Sequence, residues 1–117
     1  MDPLPVLDPR PLQDLAGLGT DSALIQELID LLASDTPPRL EALAVAVTAG
    51  QAHRVVEEAH QIKGSVGNLG LMRMSHLAGQ IEARGRLGRL EGLLPMVEAL
   101  EGAYQEGLAA LKKAFPV

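Results

Sequence analysis

The sequence predicts an all-α fold: an antiparallel up-and-down four-helix bundle with a short extra helix at the N-terminal end. Three observations carry this. Apolar residues recur at helical spacing along almost the whole chain, and strand-like alternation is absent. The segments between these amphipathic stretches are two to five residues long, which favours antiparallel neighbours. The chain has 117 residues and is 47% hydrophobic, enough for one domain with a modest core.

Residues 1–10, with Pro3, Pro5 and Pro9, read as an extended lead-in kept out of the core, and residues 11–117 as the bundle domain. A turn of helix over Leu12 to Leu18 is stopped by Gly17 and Gly19. Thr20 or Asp21 caps the next helix, whose apolar face is Leu24, Ile25, Leu28, Ile29, Leu31 and Leu32. Pro37 and Pro38 then remove two amide donors. The segment either kinks there or breaks and restarts with Thr36 as cap, and a kink or brief break is expected. Leu40, Leu43, Ala44 and Val47 continue the face to Gly50.

A further helix is expected over residues 51–68, buried through Ala52, Val55, Val56, Ala59, Ile62, Val66 and Leu69. Gly70 ends it. The next spans residues 72–84 through Met74, Leu77, Ala78 and Ile81, with Gly85 as its stop. The last covers residues 89–114 and uses Leu90, Leu93, Leu94, Val97, Leu100, Tyr104, Leu108, Leu111 and, beyond its end, Phe115, with Pro95 near its first turns.

Composition removes several function classes. With no cysteine there is no disulfide framework, thiolate metal site or cysteine nucleophile. A net charge of −5 and two aromatic residues argue against nucleic-acid binding. The acid- and proline-rich start lacks the pattern of a secretory signal, and no apolar run has membrane-spanning length. A cytoplasmic protein is expected. Charge is uneven, and residues 54–89 are the basic stretch, with Arg54, Lys63, Arg73, Arg84, Arg86 and Arg89 against Glu57, Glu58 and Glu82. That is either a solvated face with ordinary pairs such as Glu58 with Arg54, or a positive surface for something anionic such as a phosphoryl group.

The segment AHQIKGSVGNLGL, residues 59–71, carries the chemistry. His60 lies roughly 115° from the centre of its helix's apolar arc, on a flank that solvent reaches. Lys63 follows at i+3 and can swing its ammonium to an anion on the imidazole. Gly64, at i+4, lies on the polar side with His60, so its missing side chain clears a path for another protein's surface. An accessible imidazole, a neighbouring cation and a bare position are what a phosphoryl acceptor needs, because such transfer depends on positioning and charge neutralisation. Glu57, at i−3, is a candidate to orient the ring through its second nitrogen, although plain solvation is the favoured reading. Ser65 reads as a helix hydroxyl bonded to its own backbone.

These residues resemble the histidine-containing phosphotransfer (HPt) domains of multistep two-component phosphorelays. The family pattern of a histidine, a hydrophobe two on, Lys-Gly-Ser and a Leu-Gly pair is met by His60, Ile62, Lys63, Gly64, Ser65, Leu69 and Gly70. The resemblance extends over nearly the whole chain, through the early helix with its acid-proline interruption, the loop at Ala49-Gly50 and the run IEARGRLGRLEG. It implies a phosphoryl carrier that accepts and donates a phosphoryl group on His60, to and from receiver-domain aspartates. The receiver then holds Mg²⁺ and does most of the catalysis, and this chain binds no cofactor. It also implies response-regulator receivers and a hybrid histidine kinase as partners, and Glu82 and Arg86 facing the site from the next helix. Arg86 matches a basic residue many members have. Glu82 stands where close relatives often have glutamine, and Gln51, where members usually have aspartate, reads as a changed helix cap.

Partner docking is expected on an apolar rim of Ile62, Val66, Gly67 and Met72. His53, two turns before His60, is too far along the helix to share a metal with it, so no metal site is expected; His76 reads as surface. The carboxylates form no tight hydrolytic pair, so an enzyme with its own kinase or hydrolase machinery is not expected. A monomer is the expected state, and Met1 and the Phe115-Pro116-Val117 end favour a free-standing protein. The alternative function is a helical adaptor or decoy that binds a receiver domain or histidine kinase without being phosphorylated.

Overall fold

A computed structural model describes residues 4–17 and 22–116. Five helices follow one another: α1 Arg10–Gly17, α2 Ser22–Thr48, α3 Ala52–Gly67, α4 Met72–Arg86 and α5 Leu93–Ala114. No strand occurs among the described residues. The long helices close a ring in which α2 packs on α3 and α5, and α4 packs on the same two, while the short α1 leans on α2. This is the expected four-helix bundle with an extra N-terminal helix. Its core is aliphatic, with Ile29 and Leu43 of α2, Val55 and Ile62 of α3, Met74 and Ile81 of α4, and Leu100 and Leu111 of α5 all fully buried.

The helix α2 runs unbroken through Pro37 and Pro38, where a kink or break was expected. Each proline costs a helix interior about 3 kcal/mol through its missing donor and its ring. Packing on both sides outweighs that, since Leu32, Thr36, Leu40 and Leu43 are buried on one continuous face. Pro37 leaves the carbonyl of Ala33 without its i+4 amide, and the Tyr104 hydroxyl of α5 approaches that oxygen at 3.5 Å. Thr36 is therefore an interior helix residue, not a cap. Thr20 and Asp21, the proposed caps at the start of α2, lie outside the described residues, as do Leu18 and Gly19. Leu24, Leu31 and Leu94, placed on buried faces by periodicity, are exposed.

Two helix ends also differ. The α4 helix passes through Gly85 to Arg86, because Gly85 serves packing: a Cβ there would stand 3.0 Å from Val56 Cγ2 and 3.1 Å from Val55 Cγ1. It thereby lets α4 lie close on α3. The α5 helix starts at Leu93, after a turn at Glu91 and Gly92 in which the Arg84 guanidinium donates to the Glu91 carbonyl. Pro95 falls in its first turn, where no amide donor is missed.

The lead-in is tied down. The Asp8 amide donates to the Gly70 carbonyl at 2.7 Å, and Arg73 donates to the Leu4 carbonyl while pairing with Glu106 at 2.9 Å. Leu7 packs against the core, contrary to the expectation that residues 1–10 stay clear of it. Gly70 makes this possible. Its φ of +78° is left-handed, and a Cβ on it would lie 2.0 Å from the Asp8 carbonyl oxygen.

Candidate functional site

The helix α3 presents the site because its apolar residues fall on one face. Val55, Ala59, Ile62 and Val66 are buried, which turns His60, Lys63 and Gly64 outward. The His60 side chain is 64% exposed, on the flank the periodicity gave it. A Cβ added at Gly64 would meet nothing within 4 Å, so the approach to the imidazole over that turn is open. An open polar cleft beside the ring is lined by Arg39, Glu57, Glu58 and Gln61. An apolar groove between α2 and α3, lined by Leu28, Leu31, Leu32, Ile62 and Leu69, shares Arg39 with that cleft.

The second ring nitrogen faces α4. His60 Nδ1 lies 3.2 Å from Glu82 Oε2, and the same oxygen accepts from Arg86 Nη2 at 2.6 Å. Burial pushes the Glu82 carboxyl upward, but the hydrogen bonds from Arg86 and His60, with their charges, outweigh it and leave the carboxyl below its ordinary value of 4.5. Glu82 is therefore ionised at neutral pH and can only accept. An acceptor-only carboxylate favours the tautomer with the proton on Nδ1, and in that neutral ring the lone pair is on Nε2. The other carboxylate oxygen, Oε1, is buried with no hydrogen-bond partner.

Glu57 does not orient the ring. It pairs with His53 Nε2 at 2.7 Å, one turn back along the exposed face. The residue that does orient it came from α4, where Glu82 follows the core residue Ile81 and lies at i+4 from the buried Ala78. The family resemblance sets Glu82 and Arg86 facing the site, and a carboxylate on the buried arc of an amphipathic helix is the physical signal for the first of them. Ser65 Oγ donates to the Gln61 carbonyl at 2.9 Å, a backbone contact of its own helix. Glu58 pairs with Arg54 at 3.6 Å and lies 4.0 Å from Arg39. Gln51 stands at the N-cap of α3 with no side-chain capping bond.

The expected docking rim needs correction. Ile62 is 1% exposed and Val66 fully buried, both belonging to the core that their spacing had also assigned them to. Gly67 is exposed and Met72 half-buried, and these two border a shallow depression with Ser75 and His76. His76 is exposed as expected. Among the described residues no group of three or more His, Asp or Glu is placed to hold a metal ion. No helix among them is long and apolar enough to cross a membrane.

Fold and site together define a helical-bundle protein that offers a braced histidine to solvent. The Hpt domain model matches residues 27–114, well over half the chain. The chain belongs to the Hpt domain family. It is also similar to the crystal structure of histidine-containing phosphotransfer protein B (HptB) from Pseudomonas aeruginosa PAO1, with a TM-score of 0.84 and 28% identity over 93% of each chain. Among curated protein sequences, none matches it.

Proposed function

We propose that this protein is a phosphoryl carrier of a two-component phosphorelay, with His60 as the group that is loaded and unloaded. The observation that carries this is the 3.2 Å contact between His60 Nδ1 and Glu82 Oε2 on a largely exposed ring: an ionised carboxylate there favours the Nδ1–H tautomer, in which the lone pair is on Nε2. In loading, Nε2 attacks the phosphorus of a receiver's aspartyl phosphate. The N–P bond forms, the P–O bond to the aspartyl oxygen breaks, and the aspartate leaves as a carboxylate. The ring keeps its Nδ1 proton and so carries positive charge, which Glu82 offsets. Unloading onto a second receiver is the same exchange reversed, and the positive ring is a good leaving group.

The protein's other groups serve positioning and charge. Lys63 and Arg86 flank the histidine and neutralise the incoming phosphoryl oxygens, and the bare Gly64 admits the partner. Mg²⁺ belongs to the receiver's own site, and no residue of this chain is assigned to it. The partners are response-regulator receivers and a hybrid histidine kinase. A receiver that places its aspartate on His60 rests on the neighbouring α2–α3 groove, where Leu31 is 56% exposed.

The test is label transfer from phosphorylated receivers. Wild-type protein should acquire an acid-labile, base-stable phosphate, and His60→Gln should acquire none while keeping its helical content. A His60→Gln variant that still binds the partner and sustains the output would instead establish the adaptor reading.

A further inference from the structure

Gly79 sits in the middle of α4 with an ordinary helical backbone, at a cost of about 1 kcal/mol relative to alanine. Neither a turn nor a close helix contact accounts for it. The atoms within 4 Å of where its Cβ would stand all belong to one side chain: Lys63 Cδ at 3.7 Å, Cε at 3.8 Å and Nζ at 4.0 Å. The far half of the lysine thus crosses from α3 and lies along the bare backbone of α4. Glu82 is at i+3 from Gly79, on the same face and one turn on, so the ammonium rests on the side of α4 that supports His60. It makes no ion pair or hydrogen bond among the described residues.

We infer that Gly79 is a positioning residue for phosphoryl transfer: its bare backbone is the bed along which the Lys63 stem lies, leaving the ammonium on the α4 surface one turn from Glu82 without an acidic partner. This rests on the carrier reading of His60 and adds to it a reason for the cation's location. An unpaired ammonium on a flexible stem moves to an arriving phosphoryl group without first breaking an ion pair. A bare Cβ at 79 would only touch the stem in ordinary contact, whereas an acidic side chain there holds the charge.

The experiment places a carboxylate in the bed. Gly79→Glu should slow phosphoryl transfer from a phosphorylated receiver by about two- to fivefold, the cost of breaking an exposed ion pair. Gln80→Glu, which adds the same charge at the next, exposed position of α4, should leave the rate unchanged. In a Lys63→Ala background Gly79→Glu should cause no further loss. The other lysines are Lys112 and Lys113, so the Lys63 ¹³Cε resonance can be followed directly, and it should move in Gly79→Glu while theirs stay fixed. Wild-type rates in Gly79→Glu, an additive loss in the Lys63→Ala background, or an unmoved Lys63 resonance would each overturn the inference. If wild-type protein takes no label at all, the carrier reading fails, and the resonance still decides whether the bed exists.

Discussion

Glu82 reaches His60 from 22 positions further along the chain, its Oε2 lying 3.2 Å from the ring's Nδ1. The contact joins two helices and determines which nitrogen is available to a partner. Replacing Glu82 with leucine removes the acceptor. Loading of His60 should then fall roughly ten- to a hundredfold, the range expected for losing a hydrogen bond to a charged group worth about 1.5–3 kcal/mol. Ring ¹⁵N shifts should report a mixture of tautomers in place of the Nδ1–H form. Glu82→Gln keeps an acceptor and should retain more of the rate; equal losses in both variants would show that charge, not orientation, is the contribution.

Acid should dismantle the same arrangement. The folded Glu82 carboxyl lies below its ordinary 4.5, so the unfolded chain takes up this proton more readily than the folded one. The stabilisation is complete above the ordinary glutamate value and disappears as pH falls through the lowered folded value. Urea unfolding at a series of pH values between 7 and 3 should therefore show a shallower acid loss in Glu82→Gln than in wild type.

Core and rim separate cleanly on α2 and α3. Ile62→Ala should cost about 2–5 kcal/mol of unfolding free energy, as expected for a large buried aliphatic side chain, because Ile62 is 1% exposed. Leu31→Glu should stay within about 0.5 kcal/mol of wild type in stability, since Leu31 is largely exposed. Its effect should fall on receiver affinity, read by titration calorimetry. A stability loss without an affinity loss in Leu31→Glu would remove the α2–α3 groove from the docking surface.

Gly70→Ala should be costly although the residue is in a loop. The left-handed backbone disfavours alanine by about 1–2 kcal/mol, and the added methyl collides with the Asp8 carbonyl. Removing residues 1–8 relieves the collision but not the backbone strain. Denaturant unfolding should therefore show Gly70→Ala recovering part of its loss in the truncated chain relative to truncated wild type.

Much of the fold is legible because helical periodicity reports burial, and α3 illustrates it: the spacing of Val55, Ala59, Ile62 and Val66 alone puts His60 outside the buried arc. What could not be read was long-range. The continuity of α2 across Pro37 and Pro38 depends on packing against other helices, Tyr104 among them, and a local rule records only the cost. Gly85 has the appearance of a helix stop in one dimension, whereas its role is set by Val55 and Val56 on another helix. Spacing within α3 offers only Glu57 as a neighbour for the ring, whereas Glu82 enters through the family resemblance, which sets it facing the site from the next helix. The partner actually used depends on the approach of α4.

That approach is governed by Gly85, one residue before Arg86 and three after Glu82. The reactivity of a surface imidazole is in this way delegated to an interior tolerance smaller than a methyl group. A larger residue at position 85 would shift Glu82 from the imidazole while His60 and its neighbours on α3 stay unchanged.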